Sequence, residues 1–366
     1  MIKTDKKTSI ISEITRWYRE NARDLPWRRT SDPYAIWVSE IMLQQTRVET
    51  VIPYYQRWMI ELPTLQSLVL ADQDQVLRLW EGLGYYSRAL NLHKAANLIL
   101  INFNGKLPED VKSLESLPGI GRYTAGAISS IAFDHHAPIL DGNIKRVFSR
   151  LFNISTPLKN SATEKELWRI AESLLPEDRP GEFNQALMEL GALICLPKNP
   201  DCICCPLQND CLAYQYNLQG DLPVRKQNTP IPHLQVTAAV IKKGDQFLLA
   251  KRPSNGLLGG MWEFPGGKQE KNESLPETLV REIKEELDAT IKVGEHLGTY
   301  QHAYTHYKVT LHAYHCRLLT EDLKMNYHTD LVWVPLEDLQ SYPMGKLDRI
   351  IAKQLKTISD ITPGNL

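Results

Sequence analysis

Five of the six cysteines in this 366-residue chain, Cys195, Cys202, Cys204, Cys205 and Cys211, fall between positions 195 and 211, while Cys316 stands far away. In an intracellular chain a cluster this tight favours a metal-binding loop over a disulfide framework. Cys195, Cys202, Cys205 and Cys211 are spaced C-x6-C-x2-C-x5-C, with Cys204 as an extra neighbour. Four thiolates suit either Zn²⁺ or a [4Fe-4S] cluster, and charge alone does not choose between them. Either way the loop folds around its metal.

The texture of the chain changes on the two sides of this loop. Residues 8–216 read as helical, with apolar side chains at helical spacing in SIISEITRWYREN (9–21), DQDQVLRLWEGLGYYSRALNLHKAANLIL (72–100) and SATEKELWRIAESLL (161–175). Asp72 and Asp74 lie where a helix start favours acidic groups. Residues 217–233, NLQGDLPVRKQNTPIPH, hold three prolines and a glycine and read as a linker. Beyond them HLQVTAAVIKK and QFLLAKR read as strands around a Lys-Gly-Asp turn, YKVTLHAYHCRLL and LVWVPL as further strands, and TLVREIKEELDA as a helix. The expected architecture is therefore multidomain: an all-α region over 1–216 including the cysteine loop, a linker over 217–233, and an α+β domain over 234–366.

With 43% hydrophobic and 23% charged residues the chain can bury ordinary cores. Its formal net charge is −1, and residues 1–230 carry 26 basic and 26 acidic side chains. Nucleic-acid binders are often basic overall, so any such contact here must use local patches and backbone amides. The first residues, MIKTDKKTSI, lack the apolar stretch of a signal peptide, and no run approaches a membrane span. A cytoplasmic, nucleoid-associated monomer is expected.

Several short strings carry chemistry. In LPGIGRYTAGAI (117–128) a turn containing Gly119 and Gly121 leads into a helix. Such a turn brings backbone N–H groups close to an anion, and the helix N-terminus favours negative charge. A phosphate can be held there without basic side chains. Further on, LDGNIKRV (140–147) carries Asp141. Upstream, Glu40 stands in the otherwise apolar and amide-rich WVSEIMLQQTRVETV (37–51), an expensive place for a carboxylate unless it is paired or functional. In the last third, Gly267, Glu273, Arg281, Glu282, Glu285 and Glu286 form the pattern G-x5-E-x7-R-E-x2-E-E, with Asp288 where the pattern expects glycine.

Taken together, SEIMLQQT, the glycine turn, Asp141 and the cysteine spacing resemble the MutY family of the helix-hairpin-helix glycosylase superfamily. The resemblance implies a monofunctional DNA glycosylase of base excision repair. It would remove adenine mispaired with 8-oxoguanine or guanine in double-stranded DNA. It also implies a [4Fe-4S] cluster on Cys195, Cys202, Cys205 and Cys211, with Lys198 of that loop able to meet a phosphate. Glu40 is the implied catalytic acid and Asp141 the essential carboxylate, with Tyr123 and Asn143 positioning it. Bifunctional relatives such as endonuclease III place a lysine at the position of Tyr123. A phenol forms no imine, which argues against the lyase alternative; Lys145 is the nearest other amine. Trp27 and Arg28 in LPWR and Gln185 in NQALMELGALIC match the segments that line the adenine pocket. Tyr85 in GLGYYSRA and Gln45 match the wedge inserted into the duplex. The C-terminal region resembles the family's Nudix-like domain, with Tyr304, Thr305 and His306 in the loop that meets 8-oxoguanine. A residual Mg²⁺-dependent nucleotide hydrolase on Glu282, Glu285 and Glu286 remains a minor alternative for it.

Overall fold

The computed structural model describes residues 4–224, 231–304, 307–320 and 322–361. Among the described residues twelve α-helices precede the first strand: α1 (Thr4–Asn21), α2 (Pro33–Leu43), α3 (Val48–Glu61), α4 (Leu65–Leu70), α5 (Gln73–Trp80), α6 (Ser87–Asn102), α7 (Val111–Glu115), α8 (Arg122–Phe133), α9 (Gly142–Leu151), α10 (Ser161–Leu174), α11 (Pro180–Leu193) and α12 (Leu212–Gln215). They are followed by strands β1 (His233–Lys243), β2 (Gln246–Lys251) and β3 (Trp262–Glu263), helix α13 (Leu275–Leu287), strands β4 (Ile291–Ala303), β5 (Lys308–Leu318) and β6 (Asp330–Pro335), and helix α14 (Lys346–Ile361). No helix among the described residues is long and apolar enough to cross a membrane.

The chain divides into two compact units. The first comprises residues 1–70 and 91–228, and the second residues 71–90 and 229–366. This grouping departs from a contiguous helical region over 1–216. Residues 71–90 group with the C-terminal elements, where their acids find partners. Asp74 accepts from Lys251 Nζ at 2.7 Å and from Trp262 Nε1 at 3.1 Å, and Glu81 takes Arg349 through bonds of 2.6 and 2.9 Å.

In the first unit the helix starts are written in the sequence as caps. Asp32 accepts from Tyr34 N, Asp110 from Ser113 N, Asp141 from Ile144 N and Asn160 from Ala162 N. Helices α1, α8, α9, α10 and α11 share one core built on Ile10, Ile14, Ile144, Phe148, Leu167, Phe183 and Leu187, against which Cys195, Cys205 and Cys211 pack. The expected helix over 72–100 is interrupted between α5 and α6, where Gly82, Gly84 and Tyr85 take φ values of 103°, 74° and 50°.

The second unit is a mixed sheet in the order β3-β2-β1-β5-β4, with β6 also pairing β2. Strand β1 runs parallel to β5 and antiparallel to β2, across the expected Lys-Gly-Asp turn. Alternate residues of β1 face opposite sides. Ala238 and Val240 join a core with Leu347, Ile351 and Leu355 of α14, while Ala239 and Ile241 join one with Leu279, Ile283 and Leu287 of α13. Cys316 lies in that second core, which accounts for the sixth cysteine.

Candidate active site

A cavity opens among the helices of the first unit. Its walls include Trp27, Arg28, Glu40, Tyr123, Asp141, Asn143 and Gln185, together with Arg23, Met188 and Glu189. The two carboxylates reach it from different local settings. Glu40 lies in the middle of α2, a helix buried along nearly its whole length, and is only 5% exposed. Asp141 is the N-cap of α9.

Both settings raise the proton affinity of the acid they hold. Burial pushes Glu40 up to about 7, helped by the negative charge of Asp141 and opposed by the hydrogen bond from Tyr123 Oη (2.9 Å) and by Arg28. Burial raises Asp141 as well. It is opposed there by Ile144 N at 2.7 Å, by Asn143 Nδ2 at 2.9 Å and by the charge of Arg146. Such donors at a helix N-terminus favour the anion and so temper the rise that burial imposes on Asp141.

Asn143 is itself held. Its Oδ1 accepts from Arg146 Nη2 at 2.8 Å, and Arg146 also reaches Gly191 O (2.7 Å) and Cys195 O (2.7 Å). Gly191 permits this approach, since a Cβ there would come within 2.6 Å of Asn143 Cβ. Lys145 pairs with Glu164 at 2.5 Å and is not among the cavity walls.

Other residues singled out from the sequence lie elsewhere. Gln45 is exposed, with φ 57°, on the turn between α2 and α3. Gly119 (φ 80°) and Gly121, the N-cap of α8, form the exposed hairpin turn that α7 enters and α8 leaves. In the second unit Tyr85 sits on the left-handed turn after α5, 36% exposed, with the Arg88 guanidinium 5.6 Å from its ring centre. Tyr304 packs between the rings of His302 and Tyr307, at 4.6 and 5.0 Å, and burial raises its pKa. Thr305 and His306 lie outside the described residues.

Cys195, Cys202, Cys205 and Cys211 lie near enough for their thiols to influence one another. Burial chiefly raises the thiols of Cys202, Cys205 and Cys211, and the neighbouring cysteines add to it. Arg150 Nη1 lies 3.3 Å from Cys195 Sγ. On α13, Arg281 bonds Glu273 at 3.0 and 2.8 Å, Glu282 at 3.0 Å and Glu285 at 3.2 Å. Burial pushes Glu286 up to about 8. Asp288 replaces the expected glycine with φ 50°, a left-handed position that Asp tolerates. Among the described residues no group of three or more His, Cys, Asp or Glu is drawn together tightly enough to hold a metal ion.

The reading of the sequence missed Glu189, Arg23 and Tyr18. Glu189 is fully buried and accepts from Arg23 Nε and Nη2 (2.9 and 2.7 Å), from Arg23 N (2.8 Å), and from Arg28 Nη1 and Nη2 (3.0 and 2.9 Å). Burial opposes its ionisation, but the two arginines outweigh it and hold the carboxyl down at about 2. The available signal was its place one helical turn after Gln185.

A helical unit that carries an exposed glycine hairpin turn and, apart from it, a cavity lined by the carboxyls of Glu40 and Asp141 fits the helix-hairpin-helix class of base-excision proteins. Residues 38–173 match the model of the HhH-GPD superfamily base excision DNA repair protein, and residues 236–354 match that of the NUDIX domain. Adenine DNA glycosylase of Mus musculus is 36% identical over 84% of this chain and 70% of its own length. That of Buchnera aphidicola (Acyrthosiphon pisum) is 36% identical over 89% and 92%. A solved thermostable thymine-DNA glycosylase is 30% identical, covering 58% of this chain and 98% of its own, with a TM-score of 0.54. This chain belongs to the adenine DNA glycosylase family.

Proposed function

We propose that this chain removes adenine mispaired with 8-oxoguanine or guanine from double-stranded DNA, without cutting the strand. In this reading residues 1–216 form the glycosylase region, 217–233 the linker, and 234–366 a Nudix-like domain that reads 8-oxoguanine through the loop of Tyr304, Thr305 and His306. The observation that carries it is the shared cavity of Glu40 and Asp141. Hydrolysis of an N-glycosidic bond, like that of a glycoside, passes through an oxocarbenium-like state flanked by two carboxyls. The adenine first leaves the stack and enters the cavity; Gln45 in the first unit and, separately, Tyr85 in the second are assigned to contacts with the duplex. Glu40, protonated near neutral pH, gives its proton to purine N7, and the bond from C1′ to N9 breaks. Asp141, held by Ile144 N and Asn143, stabilises the sugar cation. Glu40 then takes a proton from the water that attacks C1′. Tyr123 supplies no amine for an imine, and Lys145 is engaged by Glu164. Gly119 and Gly121 present backbone N–H groups to a phosphate. The test is a duplex with one A:8-oxoguanine pair: adenine should be released, and the strand should break only after alkali. Breakage without alkali overturns the monofunctional reading, and retention of adenine overturns the whole.

For the loop, the C-x6-C-x2-C-x5-C spacing and the influence that the thiols exert on one another support a [4Fe-4S] cluster on Cys195, Cys202, Cys205 and Cys211. Bound there, the cluster supplies a covalent brace for the loop, and no step of base removal passes through it. The purified protein should contain iron and acid-labile sulfide in equal amounts and a visible absorbance band. Zinc without iron would replace this assignment with a structural zinc site.

A further inference from the structure

Helix α11 turns three polar side chains, Glu182, Gln185 and Glu189, toward α1 and the segment that follows it. Spaced three and four residues apart, they share one helix face. Glu182 takes Arg19 through bonds of 2.7 and 2.8 Å, and Glu189 takes Arg23 and Arg28. Between these charged rungs Gln185 Oε1 accepts from Tyr18 Oη at 3.2 Å. The outer rungs occupy both oxygens of a carboxylate; the middle rung uses only the carbonyl end of an amide. An amide has two ends of nearly equal shape and opposite hydrogen-bonding character. A pocket that reads a base through it needs something to fix which end faces inward.

We propose that Tyr18 is a positioning residue: its hydroxyl holds the Gln185 carbonyl, so that the amide N–H₂ is presented to the purine as a donor. The inference rests on the reading of the cavity as an adenine pocket. Gln185 lines the cavity and Tyr18 does not, so Tyr18 acts through Gln185. The tyrosine is itself fixed, being 9% exposed with the Arg28 guanidinium 5.4 Å from its ring centre. Its pKa is raised, chiefly by burial, so the hydroxyl remains a donor at neutral pH.

The arrangement has a chemical consequence. A free Gln side chain reads adenine with both ends, at N6 and N7. Here the carbonyl is engaged by Tyr18 and N7 is assigned to Glu40. The N–H₂ therefore addresses a second ring nitrogen of the purine, N1 or N3.

The test is a double-mutant cycle with Tyr18→Phe and Gln185→Met, read in two ways. One is single-turnover excision from duplexes carrying adenine, 1-deazaadenine or 3-deazaadenine. The other is the affinity for a duplex carrying a non-cleavable 2′-fluoro adenosine. Tyr18→Phe keeps the ring over which Arg28 lies and should slow adenine excision roughly fivefold, the worth of one hydrogen bond. It should weaken the fluorinated duplex by a similar factor and leave undamaged duplex unaffected. In the Gln185→Met background it should cost nothing further, and with one of the two deaza bases the wild type should fall to the level of the variant. Equal losses in both backgrounds, or no loss in rate and affinity, overturn the proposal. The fluorinated duplex does not depend on excision, so coupling there with no adenine released by the wild type would remove the functional reading and keep the positioning role.

Discussion

Glu40→Gln is expected to abolish adenine release while making the protein more stable. The amide still accepts the Tyr123 hydroxyl but has no proton to give, and loss of a general acid costs about 10²–10⁴-fold. Single-turnover excision should fall at least that far, with affinity for the mispaired duplex retained. The stability gain follows from the direction of the shift. The folded protein holds Glu40 at about 7 against an ordinary value of 4.5. Below pH 4.5 the carboxyl is protonated in both states and its burial costs little. Between 4.5 and about 7 only the unfolded chain ionises, and the wild type loses stability by up to about 3 kcal/mol. The amide escapes that loss. Denaturant unfolding should therefore show the variant ahead of the wild type at pH 7.5 and level with it at pH 4. The same shift sets the activity profile: the acid form is the donor, so wild-type excision should decline as pH rises above about 7. Turnover by Glu40→Gln at the wild-type rate would remove Glu40 from the chemistry, and a flat stability difference across pH would show that its burial is not felt.

The parts of the site legible in the sequence were those whose chemistry is local. Glu40 could be singled out because a carboxylate inside an apolar helical string is costly, whereas Asp141 stood out only through the family resemblance of LDGNIKRV, and its capping role came from the structure. Gln185 shared a helix with a recognisable string. Glu189 shared that string too, but its meaning depends on Arg23 and Arg28, more than 160 residues earlier, and no local pattern reveals a partner at that distance. Tyr18 was hidden for the same reason. In the second unit β1 and β5 were legible through their alternation. Strand β4 was not, because register shifts between Val293 and Gly298 break its period of two. The interruption after α5 was signalled by Gly82 and Gly84, but nothing in the composition announces that Tyr85 itself takes a positive φ.

Glu189→Ala should strongly destabilise the first unit. In the folded protein this carboxylate is fully buried and held at about 2, against 4.5 when unfolded. The difference corresponds to about 3 kcal/mol of stability. That contribution is complete above pH 4.5 and is lost as pH falls through 4.5 toward about 2. Alanine removes it and leaves two guanidinium groups, with side chains 28% and 14% exposed, without their common acceptor. Breaking a buried pair from one side costs about 3–5 kcal/mol. Glu182→Ala supplies the comparison, because its partner Arg19 is 54% exposed and such a pair is worth about 1 kcal/mol or less. Urea unfolding at pH 7 should separate the two variants by at least about 2 kcal/mol. That gap should close below pH 3, where the wild-type advantage at Glu189 is itself fading. Arg28 lines the cavity and leans on Glu189, so the same variant should lose adenine excision at temperatures where it remains folded. A Glu189→Ala protein as stable as Glu182→Ala would mean that the two arginines find other acceptors, and that the buried carboxylate does not hold this wall of the pocket.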